Sequence, residues 1–128
     1  MSEIKIMLDT NFLLTMVRHK IHGFEEIKGK LPAKFYVLSR VMWEMDIKAK
    51  NDKKIKNEVR IVKEILANNG VLEIDSKLED VDAELVGLSK KYVVATNDKE
   101  LRERIKSFGG KSIYIRSLSF IELEDVLS

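Results

Sequence analysis

Short apolar runs and helical stripes take turns along this chain, and that alternation limits the fold more than any other feature. Ile4–Leu8 is an apolar run suited to a strand, and Thr10–Arg18 then repeats Phe12, Leu13 and Met16 at helical spacing. Residues 34–38, entered after Leu31-Pro32, carry Phe35, Tyr36 and Val37 and predict a second strand, with Ser39 as N-cap of the helix that follows. Residues 52–69 place Ile55, Val59, Val62 and Leu66 three and four apart, with basic residues between them, and stop at Gly70. A third strand is expected over residues 71–74. Val81, Leu85 and Leu88 mark another helix, and residues 92–95 a buried strand. Asn97 with Glu100 three residues on has the form of a capping box for a helix to Ser107, closed by Gly109-Gly110. Residues 112–115 predict the last strand and residues 119–127 a short final helix. Strands alternating with helices give an α/β fold: a central, parallel, twisted sheet of about five strands with helices on both faces. No repeat, low-complexity tract or linker interrupts the pattern, so residues 1–128 are expected to form one domain.

Composition narrows the chemistry. There is no cysteine, which removes disulfides, thiolate ligands and cysteine nucleophiles together. Only His19 and His22 offer imidazole, both near an expected helix end, so a metal here would be held by oxygen, which favours magnesium or manganese over zinc. No stretch approaches the roughly 18 apolar residues of a membrane span, and the N-terminus lacks the pattern of a secretion signal; a cytoplasmic location, with no membrane partner, is the expectation. The 23 basic and 21 acidic residues nearly balance. Gathering four acids into one site would leave 23 basic against 17 acidic elsewhere, a surface suited to a phosphate backbone.

Ligands of open parallel sheets sit beyond the carboxyl ends of the strands. Asp9 directly follows the first strand and Asp98 follows the fourth after Thr96 and Asn97, so both fall on that edge. Glu44 lies about a turn and a half into the second strand's helix, and Asp82 lies in the first turn of the helix before strand four. Each acid alone has a plainer reading: Asp9 and Asp98 as helix caps, Glu44 as a solvated residue, Asp82 as a first-turn charge.

Together, four segments resemble the PIN-domain nucleases over nearly the whole chain. Ile6-Met7-Leu8-Asp9-Thr10-Asn11-Phe12-Leu13-Leu14 looks like the family's first motif, Val41-Met42-Trp43-Glu44-Met45 like the second, Asp82-Ala83-Glu84-Leu85 like the third, and Val94-Ala95-Thr96-Asn97-Asp98-Lys99-Glu100-Leu101 like the fourth. Met45 stands where the family often has leucine, and Asp80 is an alternative to Asp82. The resemblance implies a PIN-like fold and a Mg2+- or Mn2+-dependent ribonuclease. Asp9, Glu44, Asp82 and Asp98 would be its metal-binding catalytic carboxylates, and Asn11 and Thr96 their hydrogen-bonding supports. Ser112-Ile113-Tyr114-Ile115-Arg116 resembles archaeal and eukaryotic PIN proteins of ribosomal RNA processing more than VapC-type toxins. A homodimer, and either an RNA-processing partner or an antitoxin, are further implications.

Among the basic residues, Arg102 and Arg116 are the expected RNA contacts, whereas the lysines of residues 53–63 read as a solvated face. Trp43 could stack on a base, but core packing is the expectation. A haloacid-dehalogenase-like phosphatase would need a second Asp where Asn11 stands. A receiver domain would need an acid pair that is missing beside Asp75 and a lysine after the last strand, where Lys111 precedes it. A catalytically silent PIN scaffold for RNA or protein binding remains the third reading.

Overall fold

A computed structural model describes residues 3–127. Its six-stranded sheet has the order β3-β2-β1-β4-β5-β6, formed by β1 (Ile4–Leu8), β2 (Ala33–Leu38), β3 (Leu72–Ile74), β4 (Val93–Ala95), β5 (Ser112–Arg116) and β6 (Phe120–Glu122). The first five strands are parallel, and β6 returns antiparallel to β5. β1 lies at the centre, and its Ile6, Met7 and Leu8 are wholly buried, which is why the strand is unbroken apolar sequence from Ile6 onward rather than an alternating pattern, with the exposed Lys5 at its start. Burying such a side chain contributes about 1.5–3 kcal/mol before ordering costs.

Among the described residues six helices connect the strands and a seventh follows the last: α1 (Thr10–Arg18), α2 (Gly23–Lys28), α3 (Ser39–Ala49), α4 (Lys53–Asn68), α5 (Val81–Leu88), α6 (Lys99–Phe108) and α7 (Glu124–Leu127). α1, α3 and α4 pack as one group and α5 on α6 as another. Phe12, Leu13 and Met16 of α1, Val59, Val62 and Leu66 of α4, and Leu101 and Ile105 of α6 turn into the core at the spacings their stripes predict.

Several details differ from the sequence reading. The sheet has six strands rather than about five, because part of the segment expected as a final helix forms β6. Ser117 and Leu118 both adopt left-handed backbone, φ 54° and 49°, and the Ser119 amide donates to the Arg116 carbonyl at 3.1 Å, closing a tight turn that ordinarily calls for Asn-Gly. The turned strand gains Ile121, buried against the core, and its amide donates to Glu26 at 2.7 Å. α2 was not anticipated: it is six residues long, opens on glycine and buries only Gly23, Phe24 and Ile27.

Ser39 is the first residue of α3 rather than its cap. Its hydroxyl instead accepts from the Ser76 amide at 2.9 Å while Ser76 Oγ accepts from the Arg40 amide at 2.9 Å, tying the start of α3 to the loop after β3. Asn97 and Glu100 form no capping box, because Asp98 caps α6 by accepting from the Leu101 amide at 3.1 Å. Trp43 is not core but 54% exposed, with the Arg40 guanidinium 5.1 Å from its ring.

Candidate active site

The chain winds outward from β1 to β2 and β3, then crosses to β4 on the other side of β1 and continues to β5. Direction reverses between β1 and β4, so the segments leaving their carboxyl ends diverge and open a crevice there. Ladder bonds carried past the strand ends place the first residues of that crevice. The Asp9 amide donates to the Ala95 carbonyl and the Thr96 amide to the Ile113 carbonyl, each at 3.0 Å.

The crevice is a cleft of about 480 Å³ lined by all four expected carboxylates, Asp9, Glu44, Asp82 and Asp98, together with Thr10, Asn11, Arg18 and Lys48 among others. The acids arrive on four helices, three of them at the helix start. Asp9 caps α1, Glu44 lies further along α3, Asp82 is the second residue of α5, and Asp98 caps α6. Three of them therefore sit at positive helix ends, which favour a carboxylate. Asp80 is outside the cleft lining and caps α5, accepting from the Ala83 amide at 3.1 Å.

Asp9 is 6% exposed. One of its oxygens accepts from the Thr10 amide at 2.8 Å and the other from the Thr96 hydroxyl at 2.7 Å. Thr96 is fully buried, and its oxygen also accepts from the Asp98 amide at 3.2 Å, so one hydroxyl joins the β1 and β4 acids. Asn11 Oδ1 receives the Asn97 amide at 2.9 Å and lies 3.3 Å from Thr96 Oγ1, holding the two loops together from the side. The Thr10 hydroxyl donates to Glu44 at 3.2 Å.

Electrostatics set this cleft apart from an ordinary polar surface. Burial, opposed by the bonds from Thr96 and Thr10 and assisted by the charges of Asp82 and Glu44, pushes the Asp9 carboxyl up from 3.8 to about 6. The Asp82 carboxyl is also raised, first by burial, then by Asp98 and Asp80, with Arg104 opposing. Among the described residues no three acidic or histidine side chains close into a metal cage as they stand. The donor set nevertheless fits a hard divalent ion: the acids offer carboxylate oxygen, and the cost of crowding their charges is what a bound cation would remove.

Two cations line the cleft. The Arg18 guanidinium grips Glu58 of α4 with two bonds of 2.9 and 2.8 Å, which fastens α1 to α4 and neutralises its charge; the pairing holds the Glu58 carboxyl below its usual range. Lys48 stands one turn beyond Glu44 and makes no ion pair among the described residues. Arg102 and Arg116 are elsewhere. Arg102 stacks on Tyr114, 3.9 Å from the ring centroid, in a shallow cavity with Lys99 and Lys106, and Arg116 binds Glu122 at 2.7 Å. Sequence reasoning overlooked Thr10, Asn97 and Lys48. Thr10 sits inside the Asp9-Thr10-Asn11 motif, Asn97 Oδ1 accepts from the Ile115 amide at 2.9 Å, and Lys48 had no signal beyond its place four residues after Glu44.

The chain belongs to the PIN-like domain family, whose model matches residues 6–118. It is 29% identical over 125 residues to Ribonuclease VapC4 of Methanocaldococcus jannaschii, covering 93% of this chain and 95% of that protein. The fold is similar to the PIN domain endonuclease Utp24, with a TM-score of 0.73 at 23% identity over 92% of this chain and 90% of that one. It is also similar to a domain of a functionally unknown protein from Methanocaldococcus jannaschii, with a TM-score of 0.61 at 18% identity over 89% and 92% of the two chains.

Proposed function

We propose that this chain is a Mg2+- or Mn2+-dependent endoribonuclease that hydrolyses RNA phosphodiester bonds, with Asp9, Glu44, Asp82 and Asp98 holding the ion. The observation that carries the reading is the gathering of these four carboxylates, from four separate elements, along one cleft at the sheet's switch point. When bound, the divalent ion supplies positive charge against the phosphoryl oxygens and acidifies water. The chain's own residues orient and charge the site. Thr96 and the Thr10 amide fix the Asp9 carboxylate, Thr10 Oγ1 steadies Glu44, and Asn11 braces the loop carrying Asp98. Lys48 is the proposed phosphate contact inside the cleft, with Arg102, one turn beyond Asp98, and Arg116 as outer contacts.

The biological role proposed is RNA processing. A second reading, a toxin ribonuclease held by an antitoxin, rests on the 29% identity to VapC4. A small protein co-purifying from the native source and blocking cleavage would favour the toxin reading, and free, constitutively active enzyme the processing one.

The test is Mn2+-dependent cleavage of single-stranded RNA by wild type and Asp98→Asn, purified identically. Asparagine caps a helix about as well as aspartate, so the variant should melt within a few degrees of wild type while losing cleavage at least a hundredfold. Undiminished cleavage would reduce Asp98 to a cap and remove the carboxylate site.

A further inference from the structure

At the opposite edge of the sheet, where β1, β4 and β5 begin, a second cavity of about 450 Å³ opens. Lys5, Lys90, Lys91 and Lys111 line it, against the single carboxylate of Glu3. The whole chain carries 23 basic and 21 acidic residues, so four to one is a local arrangement rather than a reflection of composition. All four lysines are exposed, and none makes an ion pair among the described residues.

The fold brings them there with some precision. Gly109 ends α6 in left-handed backbone, φ 92°, and a Cβ on Gly110 would collide with Ser89 Oγ; the turn is pressed against the end of α5, which brings Lys111 beside Lys90 and Lys91. Lys5 and Lys91 lie 5.9 and 5.8 Å from the centroid of the Tyr92 ring, and Lys90 lies 4.8 Å from that of Phe108. Tyr92 is buried and set edge-on to Tyr36 at 5.2 Å, so the ring is a fixed platform for two of the ammonium groups. Aromatic faces offset only part of the repulsion among the lysines; an external polyanion would offset the rest.

We infer that this pocket is a second RNA-binding site, which grips phosphates of a folded substrate away from the bond being cut. The inference rests on the ribonuclease reading of the opposite edge. Among the residues lining the cavity no large apolar side chain is exposed, the half-exposed Phe108 beside Lys90 standing outside the lining. Such point charges suit a repeated phosphate backbone better than a folded acidic protein, whose docking would call for a desolvated apolar centre. The two edges are separated by the five residues of β1, about 17 Å, so a structured RNA can reach both whereas a short oligonucleotide in the cleft cannot.

The test compares the quadruple variant Lys5→Gln/Lys90→Gln/Lys91→Gln/Lys111→Gln with one carrying the same charge loss at scattered exposed lysines, Lys20, Lys28, Lys50 and Lys77. The pocket variant should bind a long, hairpin-containing RNA at least tenfold more weakly. The slope of its log affinity against log salt should fall by about 3. It should still turn over a short single-stranded oligonucleotide at the wild-type rate, and the scattered variant should bind the long RNA nearly as wild type does. Equal losses in both variants, or an unchanged affinity in the pocket variant, would overturn the site. Displacement of the RNA by polyglutamate at matched charge, lost only in the pocket variant, would overturn it in favour of an acidic protein partner. Failure of the ribonuclease reading shows separately, as a wild type that leaves the short oligonucleotide uncut in Mn2+.

Discussion

Replacing Asp9 by asparagine should stabilise the metal-free protein at neutral pH while abolishing its activity, and the stabilisation should vanish in acid. The folded state raises the Asp9 carboxyl from 3.8 to about 6. A raised carboxyl binds its proton more tightly when folded, so its favourable contribution is complete below about pH 4 and is lost as pH rises through about 6. Two pKa units at 1.36 kcal/mol each correspond to about 3 kcal/mol of ionisation cost in the wild type at pH 8. Asparagine never bears that cost, and its hydrogen bonds can be reassigned. Its oxygen accepts from the Thr10 amide, its amide donates to Thr96 Oγ1, and the Thr96 hydroxyl turns to Asn11 Oδ1, 3.3 Å away. Allowing for imperfect geometry, the variant should gain about 1–3 kcal/mol over wild type at pH 8 and close to nothing at pH 4. Urea titrations with chelator at pH 4, 5, 6, 7 and 8 measure this directly, because the other titrating groups largely cancel in the difference. A difference that is flat with pH, or a variant less stable at pH 8 than at pH 4 relative to wild type, would refute the reasoning.

Other outcomes follow from the same geometry. Thr96→Val keeps the shape of a fully buried side chain but leaves an Asp9 oxygen and the Asp98 amide unmatched. It should cost about 1–3 kcal/mol by chemical denaturation and shift the cleavage profile to higher pH, since the lost bond is one that lowers the Asp9 pKa. Glu58→Gln weakens the clasp between α1 and α4. With the Arg18 side chain 41% exposed the expected loss is about 1 kcal/mol at neutral pH. Because the Glu58 carboxyl is held low, that difference should shrink as pH falls through its folded pKa, which the same titrations can follow. Leu118→Gly relieves a left-handed leucine that is 53% exposed, and should raise stability by about 0.5–1 kcal/mol, read as a higher melting temperature.

The parallel part of the fold was legible because both faces of its central strands are covered. Residues such as Ile6, Met7 and Leu8 must all be apolar, and a helical stripe such as Val59, Val62 and Leu66 must be covered by other apolar faces, here those of α1 and α3. β6 was not legible. The turn before it uses Ser117 and Leu118 where glycine or asparagine would announce a hairpin, and tertiary contacts, the packing of Ile121 against the core and its amide bond to Glu26 among them, offset that local cost. The cleft could be read in outline because strand ends fix Asp9 and Asp98, and the topology fixes which ends adjoin. The choice between Asp80 and Asp82 could not, since two residues on one helical turn differ only in direction. Asp80 spends its oxygen on the Ala83 amide, while Asp82 faces the cleft. Lys48 was missed because a charge on a mixed helix face carries no mark of its own, and only the three-dimensional lining separates it from the exposed lysines of α4.

The claim on which the rest stands is that Asp9, Glu44, Asp82 and Asp98 together bind a divalent ion. Crystals soaked in Mn2+ and measured at a wavelength where manganese scatters anomalously should show a peak in the cleft within direct or water-bridged reach of these four side chains. An empty cleft at a Mn2+ concentration that supports RNA cleavage, or an ion bound among other residues, would contradict it.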